Sequence, residues 1–166
     1  MALYTIYNGA MPTTAVLPTV ATGTAIKTLL QLKPFNVCRI IEWGISFDGY
    51  SAAAPVAVEL IDTGTVFATV TASADADVMK LDGSEGAVAS VAGLTLGTAA
   101  TGYTGSAEGT ITATKILDSQ LIAPSAQFIK QFPLGREPKL IIGNSVRIRV
   151  KAAATVNALC YMVLEI

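Results

Sequence analysis

Residues that could carry out catalysis are few in this chain. It has no histidine, so the Ser-His and Cys-His pairs that activate a nucleophile cannot form. No serine lies in the Gly-X-Ser-X-Gly turn that exposes the nucleophile of many hydrolases. The only two cysteines, Cys38 and Cys160, lie in apolar segments and are expected to be buried free thiols. These observations predict a protein that is not an enzyme and has no catalytic residues.

Carboxylates offer two further routes to a chemical site. Glu42 and Glu59 fall in neighbouring predicted strands and could form the acid pair of a glycoside hydrolase, but no sugar platform accompanies Glu42. A second cluster could hold Ca²⁺ through oxygen ligands, but its order does not match that of an EF-hand loop. We therefore expect a solvated acidic loop and no metal site. The cluster consists of Asp75, Asp77, Asp82 and Glu85.

One glycine-bounded segment has the spacing of a phosphate-binding loop. It runs from Gly97 to Thr104. Tyr103 stands where the lysine of such a loop must reach the phosphates, and no strand-then-helix pattern surrounds the segment. The sequence therefore predicts no nucleotide and no other cofactor.

The composition excludes several partners. The 166 residues are 52% hydrophobic and 14% charged, against about 25% charged in ordinary domains, and the net charge is −1. Without excess positive charge, the chain has no bulk attraction for nucleic acid or anionic membranes. Its longest apolar runs are about seven residues, whereas a membrane-spanning helix needs about 20. We expect neither a nucleic acid nor a membrane as partner.

Period-two alternation of apolar and polar residues indicates strands along most of the chain. Asp62 to Gly64 is predicted to join two of them as a hairpin, and about eight or nine strands with frequent turn signals favour an all-β fold. The expected form is an antiparallel β-sandwich or barrel, jelly-roll-like. The predicted strands include 37–47, 56–61, 65–71, 110–117, 145–151 and 156–166.

The distribution of prolines and charged residues along the chain predicts its domain organisation. Residues 1–26 contain two prolines and no charged residue, so they are predicted to form an extended N-terminal arm lying on the domain or on a neighbouring subunit. Residues 27–166 are predicted to form a single β-sandwich domain with a long 72–109 connection. Tyr4, Ile6 and Tyr7 are the candidate partner-contact residues of the arm.

Charge is unevenly spread along the sequence. Residues 42–118 hold ten acidic and two basic residues, whereas residues 119–166 hold six basic and two acidic ones. Arg147, Arg149 and Lys151 alternate with apolar residues and would form a basic row on one strand face. This row is a candidate contact for an acidic partner, the alternative being a solvated polar face.

Five further segments of the sequence form a recognisable set: Glu42–Gly49, Glu59–Thr65, Glu108–Thr114, Phe132–Pro138 and Arg147–Ala152. Together they resemble a group of small virion structural proteins encoded by tailed bacteriophages. The resemblance implies a capsid decoration or cement protein with a β-sandwich, barrel or jelly-roll fold, often a trimer, that clamps neighbouring major capsid protein subunits. Its location would be the capsid surface of the virion, after synthesis in the host cytoplasm. The resemblance carries no catalytic or contact positions. The alternatives are a tail or head-fibre β-sandwich component and a carbohydrate- or receptor-binding module.

Overall fold

A computed structural model describes residues 2–50, 54–82 and 93–166. These residues form two antiparallel six-stranded sheets, which confirms the predicted all-β sandwich. In sheet A the order is β10 (Gln127–Gln131), β4 (Arg39–Phe47), β12 (Asn157–Glu165), β1 (Leu3–Tyr7) and β7 (Val78–Lys80), and β2 (Val20–Ala21) also pairs with β12. In sheet B the order is β6 (Thr69–Ala72), β8 (Gly102–Ala107), β3 (Lys27–Leu32), β11 (Val146–Lys151), β5 (Val56–Asp62) and β9 (Lys115–Ile122). A 3₁₀ turn, Asp75–Asp77, precedes β7.

The core lies between the two sheets because alternate residues of the central strands are apolar. Trp43 and Ile45 of β4 and Met162 of β12 point inward from sheet A, and Leu60 and Ile148 point inward from sheet B. All five are buried. Successive strand residues face opposite sides of a sheet, so this alternation fixes which face of each sheet is covered by the other.

The hairpin predicted between residues 56–61 and 65–71 is wrong, because these two segments do not pair with each other. β5 pairs with β9 and β11, and residues 69–72 form β6 at the far edge of the same sheet. The Asp62 carboxylate accepts hydrogen bonds from the Gly64 amide at 2.7 Å and from the Asn144 side chain at 3.0 Å, which ends β5. Gly64 has φ +62°, a conformation that glycine adopts without strain. The chain therefore leaves the sheet instead of turning back along it.

Two segments cross the outer face of sheet B. Residues 63–68 connect β5 to β6, and residues 108–114 connect β8 to β9. We call these two segments the sheet B cover. The first residue of the strand predicted at 110–117 is therefore wrong. β9 begins at Lys115, and the residues before it belong to the cover. The jelly-roll strand order stays a prediction.

The domain boundaries also need correction. The first part of the predicted 1–26 arm is β1, which lies inside sheet A between β12 and β7, because Tyr4 and Ile6 alternate toward the core. The predicted 72–109 connection contains β7 and β8, while its residues 83–92 lie outside the described part of the chain. Residues 9–19, between β1 and β2, and residues 22–26, between β2 and β3, lie outside the strands.

Candidate interaction surfaces

The basic row predicted on β11 does not form an exposed patch. Arg147 lies on the outer face of sheet B but is fully buried under the sheet B cover. Its guanidinium donates hydrogen bonds to the Glu108 carboxylate at 3.1 Å, the Glu108 carbonyl at 3.0 Å and the carbonyl of Val66. Burial lowers the pKa of Arg147 and the Glu108 carboxylate acts against that shift. Arg147 thus holds the cover in place and is not a partner contact.

Gln31 completes the polar layer beneath the cover. Its side-chain amide donates to the Ala100 carbonyl at 2.7 Å and to the Ala68 carbonyl at 3.2 Å, and its side-chain oxygen accepts from the Ala68 amide at 2.8 Å. The Ser145 hydroxyl bonds the same oxygen at 3.0 Å and accepts from Arg147 Nε at 3.1 Å. Buried polar groups that are hydrogen-bonded in this way fix a single arrangement of the segments they join.

The other two residues of the row differ in exposure. Arg149 Nε lies 2.7 Å from the Glu59 carboxylate, a partly buried pair on the outer face of sheet B. Lys151 is exposed at the end of β11. Of the predicted row, therefore, only Lys151 offers an exposed cation.

The residues predicted as arm contacts are also divided between the two faces of sheet A. Ile6 is fully buried and Tyr4 packs against the core. Tyr7 lies on the outer face, opposite Tyr161, with the two ring centroids 5.5 Å apart. The prediction of contact residues is therefore wrong for Tyr4 and Ile6, because period-two alternation turns both toward the core.

The outer face of sheet A carries a shallow cavity, which we call the tyrosine cavity. Its volume is about 210 Å³, and its lining contains no charged residue. Tyr7 and Tyr161 form one wall, and Leu159 of β12 also lines the cavity. The remaining lining residues are Ile45, Ser46, Gln127 and Ile129.

Gly44 determines how the Tyr161 ring lies over the sheet. A Cβ atom at Gly44 would be 2.5 Å from the ring, so only glycine lets the ring cover β4. The Tyr161 hydroxyl donates to the Glu42 carboxylate at 2.5 Å. Burial, followed by this bond, raises the pKa of Tyr161 well above its ordinary value. The ring is thus held flat beside the tyrosine cavity.

The β1–β2 loop, residues 9–19, follows the end of β1. At its base the Asn8 side chain donates to the Ala158 carbonyl at 3.1 Å and accepts from the Cys160 amide at 3.0 Å. The Met11 amide donates to the buried Asp77 carboxylate at 2.7 Å. Val16 is 88% exposed. The loop is therefore fixed at its start and presents an apolar side chain to solvent.

One end of the sandwich exposes a second apolar surface, which we call the loop-end patch. It consists of Phe35, Val37, Ile141 and Ile142, each about half exposed. Two adjoining loops supply these residues, and they are joined by backbone hydrogen bonds from Gly143 to the Pro34 carbonyl and from Leu140 to the Cys38 carbonyl. Arg39, the first residue of β4, forms a backbone bridge with Lys139 of the adjoining loop. The Arg39 guanidinium lies 3.8 Å from the Glu165 carboxylate, and Lys139 is exposed beside the patch.

The carboxylates that suggested chemistry are not brought together. Glu42 lies on sheet A and Glu59 on sheet B, and each is engaged by a different side chain. In the acidic loop, Asp77 accepts bonds from the Met11 and Ala74 amides, and Glu85 lies outside the described residues. Across residues 2–50, 54–82 and 93–166, no group of three or more potential ligands is placed to hold a metal.

The two cysteines are free and buried. Burial raises the pKa of Cys38 to about 12 and moves that of Cys160 in the same direction. A thiol is a nucleophile only as the thiolate, so both are unreactive near neutral pH in the folded protein.

Sequence reasoning missed Asp118, which links the two sheets at one edge. It is buried and accepts a hydrogen bond from the Trp43 indole at 3.2 Å. The Lys130 ammonium lies 3.2 Å from the same carboxylate. An inward-facing aspartate in an otherwise alternating strand is the signal that could have identified it.

No family model, curated protein or solved structure matches this chain. Among the described residues, no helix is long and apolar enough to cross a membrane.

Proposed function

We propose that this chain is a non-enzymatic structural protein of a tailed-phage virion, a decoration or cement protein that binds and stabilises the major-capsid lattice. It would lie on the capsid surface as a homo-oligomer, for which we favour a trimer. The loop-end patch is the observation that carries the proposal. The motif resemblance supplies the link to a virion.

The chemistry of the loop-end patch fits contact with another protein. Exposed apolar patches on soluble proteins commonly mark interaction sites, and interface cores are poor in charge while their rims are polar. Here four apolar side chains lie beside the exposed Lys139 and beside Arg39, which is paired with Glu165. The matching surface would be apolar at its centre and acidic at its rim.

The patch is also preorganised. The Ile40 amide donates to the Pro138 carbonyl at 3.1 Å, and the Leu140 amide donates to the Cys38 carbonyl at 2.9 Å, which ties both loops to the start of β4. Loops that are already ordered lose less conformational entropy on binding. A rigid apolar patch suits a protein whose role is to hold its partners together.

Co-sedimentation with capsids of the encoding phage that lack this protein tests the proposal. Val37→Asp and Ile141→Asp each place a charge in the patch and are expected to weaken capsid binding about tenfold or more. Leu121→Asp makes the same change at an exposed leucine on β9, away from the patch, and is expected to bind like the wild type. Lys139→Glu should weaken binding and reduce its salt dependence.

Two results would count against this function. Absence of wild-type protein from sedimented capsids would exclude a decoration role. Attachment to tails in electron micrographs of virions would favour a tail component instead. Equal binding by Val37→Asp and Leu121→Asp would remove the loop-end patch as the contact surface.

A second candidate is a carbohydrate- or receptor-binding module, and the tyrosine cavity favours it. Tyr7 and Tyr161 place two aromatic rings beside a concave surface on a sheet face. This function predicts glycan-array binding that is lost in Tyr161→Ala.

A further inference from the structure

A cavity also lies on the outer face of sheet B, outside the sheet B cover. We call it the β11 pocket, and its volume is about 140 Å³. No residue of segments 63–68 or 108–114 lines it, so the chain's own cover leaves this part of the sheet open. The lining residues come from β5, from β11 and from the position directly before β3. They are Ile26, Ala57, Glu59, Arg149, Val150 and Lys151.

Burial and pairing fix the Arg149 side chain in the β11 pocket. Only 17% of this side chain is exposed, and its Nε donates to the carboxylate of Glu59, its cross-strand neighbour on β5, at 2.7 Å. Within residues 2–50, 54–82 and 93–166, neither of its terminal nitrogens has a hydrogen-bond partner. The only fully buried side-chain nitrogen or oxygen without a partner in those ranges is the Ser73 hydroxyl. The terminal nitrogens of Arg149 therefore reach solvent.

A guanidinium held in this way presents the edge that recognises a carboxylate. Its N–H donors form a planar fork, and the two terminal nitrogens can donate in parallel to both oxygens of one carboxylate. Glu59 occupies Nε and leaves that edge unused. Because the stem of Arg149 is buried and Glu59 orients its plane, binding costs less side-chain entropy than it would for a solvated arginine.

The rest of the β11 pocket selects for charge and size. Lys151 lies two residues after Arg149, so both side chains are on the same face of β11, and Lys151 is exposed. Two cations against one carboxylate, Glu59, leave one positive charge in excess. This excess fits a singly charged carboxylate better than a phosphate group, which carries about −1.5 to −2. Ile26, 47% exposed, and Ala57 add apolar surface for the methylene groups of an acidic side chain.

We infer that the β11 pocket binds the side-chain carboxylate of a glutamate on a partner protein, with Arg149 making the bidentate contact and Lys151 adding a second positive charge. The pocket and the loop-end patch lie at opposite ends of β3, because Ile26 precedes that strand and Phe35 follows it. The six residues of β3 span about 20 Å. One molecule could therefore hold two neighbouring partner surfaces. The inference deepens the proposed function and rests on it only in taking the partner to be a protein.

Titration of the full-length protein with a short blocked peptide that contains one glutamate tests the inference, with no capsid present. Binding is followed through the backbone amide signal of Glu59 in NMR spectra. The wild type should show a saturable shift with this peptide and none with the same peptide carrying glutamine. Arg149→Lys keeps the charge but loses the fork, and should weaken binding about tenfold or more. Retention of the wild-type Trp43 fluorescence would show that each variant is folded.

Two further variants separate the pocket from general electrostatic attraction. Lys151→Gln changes an exposed side chain and should weaken binding about threefold or more, without affecting the fold. Lys115→Gln, the matched control, removes one positive charge at an exposed position on β9 of the same sheet, and should bind like the wild type. Equal weakening by Lys151→Gln and Lys115→Gln would reduce the effect to net charge and overturn the inference.

Three other results would also overturn it. They are the absence of a saturable shift with the glutamate peptide, the same shift with the glutamine peptide, and wild-type binding by Arg149→Lys. Titration with inorganic phosphate is the remaining arm, and tighter binding of phosphate than of the glutamate peptide would assign the pocket to phosphate instead. A protein that sediments with capsids but does not bind the peptide would refute this inference alone. Peptide binding by a protein that does not sediment with capsids would refute only the proposed function.

Discussion

Removal of the Glu108 side chain is expected to loosen the sheet B cover. Glu108 is the acidic partner of the fully buried Arg147, with a 3.1 Å contact to its guanidinium. Its carboxylate also accepts bonds from the Thr28 amide and hydroxyl, both at 2.6 Å. Glu108→Ala would leave a buried positive charge with neutral acceptors only, and two groups of Thr28 without their partner.

The size of the expected loss in unfolding free energy follows from the burial of Arg147 and Glu108. Loss of one partner from a buried ion pair costs about 3–5 kcal/mol of unfolding free energy. The Glu108 side chain is 22% exposed, so water can reach part of the site and the expected loss is about 2–4 kcal/mol. Glu59→Ala is the matched control, because Glu59 pairs with the partly exposed Arg149. Its expected cost is about 1 kcal/mol or less.

Urea unfolding, followed through the fluorescence of Trp43, measures both losses. Trp43 is the only tryptophan and is fully buried, so its emission reports on the core. Equal destabilisation by Glu108→Ala and Glu59→Ala would refute the claim that Arg147 is a buried charge that needs Glu108. Adding Arg147→Met to Glu108→Ala should recover part of the loss, because the uncompensated buried charge is then absent.

Three further predictions concern other parts of the sandwich. Gly44→Val should displace the Tyr161 ring and cost about 1–3 kcal/mol in urea unfolding, with a changed near-ultraviolet circular dichroism signal. Asp118→Ala should leave the Trp43 indole without its acceptor, cost about 1–3 kcal/mol and shift the fluorescence emission, whereas an unchanged spectrum would contradict the bond. Stability should fall as pH rises from about 9 toward 12, because the unfolded Cys38 thiol loses its proton near its ordinary pKa of 9.0 while the folded one keeps it. Cys38→Ala should make this fall shallower in urea titrations at each pH.

The sandwich could be predicted because alternation is a local signal. Residues 145–151 and 156–166 alternate clearly, and they contain β11 and β12 with nearly the predicted bounds. Trp43 and its neighbours on β4 alternate in the same way. Local patterns identify strands and their two faces, but they do not say which strands pair, and this is why the hairpin after β5 was wrong.

The sheet B cover could not be predicted from alternation. Arg147 occupies the outward position that period two requires, and such a position is usually solvated. Whether it is covered depends on segments 63–68 and 108–114, which are far from β11 in sequence. One signal was present in the sequence, because Gln31 is a polar residue between two leucines.

The prediction that residues 1–26 form one extended arm was wrong for a related reason. Lack of charge in residues 1–26 was interpreted as an extended arm lying on its own domain or on a neighbouring subunit, but it serves two different purposes. In β1 it allows Tyr4 and Ile6 to enter the core, whereas in the 9–19 loop it leaves an exposed uncharged tip. Composition cannot separate a buried strand from an uncharged loop when both lie in one short segment.

The two outer faces of the sandwich differ in a way that decides where partner contacts can be tested. Sheet B is covered by its own chain, and Arg147 holds that cover, so Arg147→Glu would lower stability whether or not β11 touches a partner. On sheet A, Ile129 is about half exposed and Ser46 is half-buried, and neither side chain takes part in the polar network beneath the sheet B cover. Substitutions at these two positions can therefore change association without changing the fold. The outer face of sheet A around Ser46 and Ile129 is therefore a surface on which association can be tested apart from stability, which the covered part of the basic strand β11 at Arg147 is not.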